Sequence, residues 1–144
     1  VYKESDTFKP GNSLETFFIN EWKFGHSICY DLRFPKLYRS LAKLGSKVII
    51  VPSAFTYTTG KAHWNTLVRA RAIENSVFII APNQWGTNNE RRSTFGHSLV
   101  VDPWGNIVAE ADDKEMVLSC EIDLNIVDDY QSSIPVLKND IDFI

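Results

Sequence analysis

Gly25-His26-Ser27-Ile28-Cys29-Tyr30-Asp31-Leu32-Arg33-Phe34-Pro35 decides how this chain is read. Lys23 to Cys29 is short and rich in apolar and small residues, which predicts a buried strand that ends on a cysteine. After Pro35 the period changes. Phe34, Leu37, Tyr38, Leu41 and Ala42 fall at i, i+3, i+4, i+7 and i+8, the apolar stripe of an amphipathic helix. Pro35 suits the first helical turn, where its missing N–H is no loss, and Gly45 is expected to close the helix in a left-handed cap. A side chain at such a strand-to-helix turn sits at the carboxyl edge of a sheet, beside backbone N–H groups that the helix leaves without acceptors. In α/β proteins that edge is where ligands bind.

Working outward, Leu14 to Asn20 reads as a strand that Asn20-Glu21 turns back into Lys23–Cys29 as a hairpin. Lys47 to Val51 is a buried strand that Pro52 stops. Phe55 to Gly60 reads as a loop, Lys61 to Asn75 as a second helix stopped at Asn75-Ser76, and Val77 to Pro82 as a further apolar strand. Strand, helix, strand, helix, strand implies a mostly parallel sheet with helices on a face. Right-handed crossovers would set Cys29, Pro52 and Pro82 along one edge. Asn83 to Thr94 is polar and reads as an exposed loop. His97–Val101 and Asn106–Ala109 flank the turn Asp102-Pro103-Trp104-Gly105. Met116 to Ile122 reads as a strand burying Met116, Leu118, Cys120 and Ile122 on one face, and Leu124 to Tyr130 as a short helix. No repeat, low-complexity tract or domain boundary divides residues 1–144.

Composition narrows the function. At 144 residues and 44% hydrophobic content the chain can bury a core. A net charge of −3 gives no electrostatic case for nucleic acid or an anionic membrane as partner. No apolar run approaches the roughly 18 residues of a membrane span, and no charged-then-apolar leader opens the chain. The two cysteines, Cys29 and Cys120, make no disulfide framework, so a reducing, cytoplasmic setting is expected. Neither they nor the three histidines have metal-ligand spacing, and no cofactor is expected. The chain opens on Val1, and its single methionine is Met116, so it is expected to be a piece of a longer protein.

The run Ile28-Cys29-Tyr30-Asp31-Leu32-Arg33-Phe34-Pro35 resembles the nucleophile motif of the nitrilase, or carbon–nitrogen hydrolase, superfamily. Pro52-Ser53-Ala54-Phe55, Thr59-Gly60-Lys61-Ala62-His63-Trp64, Arg69-Ala70-Arg71-Ala72-Ile73-Glu74-Asn75, and Gly96-His97-Ser98 through Asp102-Pro103-Trp104-Gly105 resemble the same family in the same order. The resemblance covers the C-terminal half of a complete family member. It implies an α/β fold, a four-layer α-β-β-α sandwich paired across subunits in a homodimer, of which residues 1–144 carry the C-terminal half.

The resemblance also assigns roles. Cys29 is the nucleophile; without the motif it would read as a buried strand cysteine. A thiolate at a helix entrance is favoured by nearby N–H dipoles, and the N–H of Tyr30 would bind the oxyanion. The family's glutamate base and lysine belong to segments upstream of Val1, and Lys3 does not match that lysine. Glu4, ahead of Phe8-x-Pro10-Gly11, resembles the family's second, auxiliary glutamate. Arg33 and Phe55 line the substrate pocket in the amidases most like this chain, Arg33 offering a fork of donors to a carboxylate. A salt bridge that only holds the loop for Arg33, and plain core for Phe55, remain open at this point. His63 or His97 beside Cys29 would imitate a papain-like pair, but the family's base is a carboxylate, so both are read as structural. Arg69, Arg71 and Glu74 are read as surface or interface ion pairs, and Trp64 and Trp104 as packing residues.

The expectation is an amidase that hydrolyses an amide of a carboxylate-bearing small molecule through a cysteine thioester, with release of ammonia. The motifs look most like those of deaminated glutathione amidases, with ω-amidases close behind. The competing expectation is a catalytically incompetent fragment, or a half that needs a partner chain.

Overall fold

The computed structural model describes residues 4–89 and 92–142. Its centre is a six-stranded sheet in the order β1-β2-β3-β4-β7-β8, built from β1 (Glu15–Ile19), β2 (Trp22–His26), β3 (Val48–Ile50), β4 (Phe78–Ala81), β7 (Leu99–Val101) and β8 (Ile107–Glu110). β2, β3 and β4 run parallel, while β1, β7 and β8 are added antiparallel. A separate two-stranded ribbon joins β5 (Trp85–Asn89) to β6 (Arg92–Phe95). The helices are α1 (Pro35–Lys43), α2 (Tyr57–Asn75) and α3 (Ile126–Ser133).

Period-two alternation sorts the parallel strands onto two faces. Ile49, Ile79 and Ala81 point to one side, where they join Tyr38, Leu41 and Ala42 of α1 and Trp64, Val68 and Ala72 of α2 in the main core. Phe24, Val48 and Phe78 point to the other, against Val127 of α3 and the partly buried Ile122, Leu124 and Ile126. Gly25 lies where α1 crosses closely. A Cβ there would stand 3.2 Å from Leu41 and 3.3 Å from Ile49. The α/β class, the parallel order and the hairpin into β2 are as the sequence predicts. Gly45, at φ +92, ends α1 as expected, and Ser76, at φ 50, caps α2 in the left-handed region. One sheet is present, with α1 and α2 on one face and α3 on the other.

Four elements differ from the sequence reading. Helix α2 begins at Tyr57, not Lys61. The Gly60 N–H donates to the Thr56 carbonyl at 2.7 Å, and the Thr56 and Thr59 hydroxyls meet at 2.9 Å, so local hydrogen bonds close the first turn despite its β-branched and glycine residues. Residues 83–94 are not an exposed loop. They hold the β5–β6 ribbon, and Asn83 and Thr94 are buried. Residues 116–122 form no strand, and Met116 and Cys120 are exposed. An alternating segment needs a neighbour for its backbone groups, and no described strand pairs with it. The short C-terminal helix is shifted to Ile126–Ser133.

Candidate active site

The parallel ladder runs on past the ends of its strands and sets the site. The Ser27 N–H donates to the Ile50 carbonyl at 3.0 Å, the Cys29 N–H to the Pro52 carbonyl at 2.9 Å, and the Ser53 N–H to the Pro82 carbonyl at 2.9 Å. The chain segments after β2, β3 and β4 therefore leave the sheet side by side. Between them opens a cleft of about 560 Å³, lined by Ile28 and Cys29, by residues 52–54 and 82–84, and by Ser98. The expected convergence of Cys29, Pro52 and Pro82 on one edge is what forms it.

Cys29 opens a 3-10 turn, Cys29–Arg33, that leads into α1. Its backbone is left-handed, φ 46. That region is uncommon for a residue with a Cβ and persists only where the surroundings impose it. The Ile28 N–H is held by the Asp31 carboxylate at 2.9 Å, and the Asp31 N–H by the Ile28 carbonyl at 2.9 Å. The N–H of Tyr30, at the second position of the turn, has no acceptor within it. The Tyr30 ring is exposed and meets Phe34 edge-on at 5.3 Å. Leu32 is fully buried and anchors the turn in the main core.

Arg33 and Phe55 come together, but beside the cleft rather than in its lining. The guanidinium lies 5.3 Å from the centre of the Phe55 ring, and both its terminal nitrogens stand 3.4 Å from His63 Nδ1. Phe55 is buried against Trp64 at 4.9 Å. Glu4 begins a short 3-10 turn, Glu4–Asp6; its side chain lies outside the described residues, as does Glu90. Neither histidine reaches Cys29 by a hydrogen bond. His63 faces Arg33, and His97 lies between Glu110 at 3.3 Å and Asp113 at 2.9 Å. Trp64 is buried and donates to the His97 carbonyl at 2.7 Å, whereas Trp104 is exposed and packs on Tyr130. Among the described residues no group of three or more His, Cys, Asp or Glu side chains is placed to hold a metal ion, and no helix is long and apolar enough to cross a membrane.

Sequence reasoning missed two residues here. Asn83 follows β4 as Ser53 follows β3, and is buried at the rim of the cleft. Its side-chain oxygen accepts from the Phe55 N–H at 3.0 Å, its amide donates to the Gly96 carbonyl at 2.6 Å, and its N–H donates to Ser98 Oγ at 2.9 Å. It fixes the loop after β3 to the segment before β7. Its place directly after the strand-ending Pro82 was the available signal. Arg71 makes the ion pair expected, with Glu74, but from a buried position rather than at the surface. Its side chain is 6% exposed and donates through Nε to the Leu32 carbonyl at 2.9 Å and through Nη1 to Glu74 at 2.9 Å. Arg69 likewise ties α2 inward, to the Gly105 carbonyl at 2.8 Å.

Comparison with known proteins agrees with this geometry. Residues 1–132 match the family described as Carbon-nitrogen hydrolase. The chain is 42% identical over 137 residues to "Deaminated glutathione amidase" of Dictyostelium discoideum, covering 94% of this chain and 47% of that protein. The crystal structure of Saccharomyces cerevisiae Nit3, described as a member of branch 10 of the nitrilase superfamily, superposes with a TM-score of 0.87 at 38% identity, over 94% of this chain and 50% of that one. A mutant of the amidase from Nesterenkonia sp. AN1, showing covalent addition of the acetamide moiety of fluoroacetamide at the active site cysteine, superposes with a TM-score of 0.72 at 27% identity, over 80% of this chain and 43% of that one. The chain spans about half the length of the curated relatives it matches. With the motifs, the sheet order and the family match in agreement over residues 1–132, the chain belongs to the carbon–nitrogen hydrolase family.

Proposed function

We propose that this chain is the nucleophile-bearing half of an amidase acting on small amides that carry a carboxylate. The observation that carries the reading is Cys29, held in a left-handed backbone at the carboxyl edge of the parallel strands, on the wall of an open cleft. In the proposed reaction the Cys29 thiol gives its proton to a carboxylate as Sγ attacks the amide carbon, and the tetrahedral oxyanion is held by the Tyr30 N–H. The carbon–nitrogen bond breaks, ammonia leaves with the proton that carboxylate received, and a thioester remains. Water, losing a proton to the same carboxylate, cleaves the thioester and frees the acid. The family resemblance assigns that carboxylate, and a lysine that would share the oxyanion, to sequence upstream of Val1, and gives Glu4 an auxiliary role. On this reading the 144-residue chain alone does not turn over. The covalent adduct at the cysteine of the Nesterenkonia amidase, and the amidase names of the relatives, support the chemistry.

The substrate class rests on Arg33. Its fork, stacked on Phe55 beside the nucleophile turn, is the group best suited to a carboxylate. The test is ammonia release by the longer protein from a panel of ω-amides with and without a carboxylate. Hydrolysis confined to the carboxylate-bearing members is expected. Arg33→Met should raise their KM by roughly 10- to 100-fold, as losing a charge-assisted pair does, with kcat less affected. Equal turnover of neutral amides, or an unchanged KM in Arg33→Met, would remove the carboxylate assignment.

A further inference from the structure

We propose that Arg71 is a positioning residue for Cys29, holding the nucleophile turn in its left-handed geometry from beneath; this rests on the nucleophile reading above. Among the described residues four non-glycine positions have positive φ: Asn20, Cys29, Ser76 and His97. At Asn20 a hairpin turn calls for it, and at Ser76 a helix cap does. Cys29 instead opens a helical turn, so its conformation must be imposed by its surroundings.

Arg71 acts at both ends of that turn. Its Nε binds the Leu32 carbonyl at 2.9 Å, three residues past Cys29. Its guanidinium lies 5.7 Å from the centre of the Tyr38 ring, whose hydroxyl meets Ser27 Oγ at 2.7 Å, two residues before Cys29. The Tyr38 phenol is protonated at neutral pH, and burial pushes it further from ionising. Among the described residues, the titratable groups about this cluster are Asp31 and Cys29 on the turn and Glu74 on α2, the carboxylate paired with Arg71. A cation so deeply buried carries a desolvation cost that an apolar residue of similar size would not. Simple packing therefore gives no reason for arginine here. Gripping a main-chain carbonyl of the turn while lying on the tyrosine that grips its other end does give one.

The test uses Cys120 as an internal standard. The longer protein and its variants are treated with iodoacetamide at neutral pH, at a temperature below each melting midpoint, and labelling at Cys29 and Cys120 is followed by peptide mass spectrometry. In Arg71→Met the Cys29-to-Cys120 rate ratio should fall roughly tenfold or more, the scale on which a misplaced reacting group loses rate. Arg71→Lys, which keeps a donor for the Leu32 carbonyl, should recover most of it. Simple loosening of the fold would leave the ratio unchanged or raise it by exposing the thiol, and either result in a folded Arg71→Met overturns the proposal. If Arg71→Met does not fold, Arg71→Gln carries the same expectation and the same overturning result. A wild-type chain that labels Cys29 no faster than Cys120 would remove the nucleophile reading and this inference with it. Selective wild-type labelling with unchanged variants would remove this inference alone.

Discussion

Cys29→Ala is expected to lower amide hydrolysis by about four orders of magnitude or more in the longer protein, the loss typical of removing a covalent nucleophile. Among the described residues, neither the second cysteine nor the histidines of the family motifs are placed to take over. Cys120 is exposed on a segment without regular structure, away from the residues that line the cleft. The two histidines nearest in sequence to the family motifs are engaged elsewhere, His63 with Arg33 and His97 with Glu110 and Asp113. Stability should hardly change. Cys29 is only half-buried, one sulfur atom is lost, and alanine meets the same φ of 46 with a smaller side chain. The measurement is ammonia release alongside thermal unfolding. Activity within tenfold of the parent, in a protein whose melting midpoint has not moved, would show that the thiol is not the nucleophile.

Gly60→Ala is expected to produce the largest loss of stability from adding a single carbon. By helix propensity the change should stabilise α2 by roughly 1 kcal/mol. Packing decides otherwise. A Cβ at Gly60 would stand 2.2 Å from Phe95 Cβ and 2.4 Å from its Cγ, separations that no ordinary contact reaches. Phe95 has little room to retreat, because its ring lies against His97 at 4.4 Å and Tyr57 at 5.9 Å. Its N–H also donates to the Phe55 carbonyl at 2.9 Å. Overpacking of this severity belongs at the upper end of about 1–3 kcal/mol, which exceeds the propensity gain by about 1–2 kcal/mol, and the melting midpoint should fall by roughly 2–8 °C. A rise would mean that propensity wins and that β6 does not press on the first turn of α2.

The strand-to-helix segment around Cys29 was legible because two local signals agree there, a change of hydrophobic period and a proline at the helix start. The strands at 48–50 and 78–81 were legible for a simpler reason: both faces are buried, so they are apolar without interruption. The elements that were misread depend on distant partners. Tyr57, Thr58, Thr59 and Gly60 have no strong helical preference, and it is Phe95, far along the chain, that requires glycine at position 60. Met116, Leu118, Cys120 and Ile122 alternate like a strand, yet a strand exists only with a neighbour. At the site, position in the motif singled out Cys29, which lines the cleft. The roles of Asn83 and Arg71 lie in what their side chains grip, Gly96 and Leu32 respectively, and no local pattern records that.

The most direct measurement is the order in which Cys29 and Cys120 of the longer wild-type protein react with iodoacetamide at neutral pH. Cys120 is the more exposed, so accessibility alone puts it first. Carbamidomethylation of Cys29 ahead of Cys120 is the result that a nucleophile at the rim of the cleft requires. Equal labelling, or modification of Cys120 with Cys29 untouched, would contradict it.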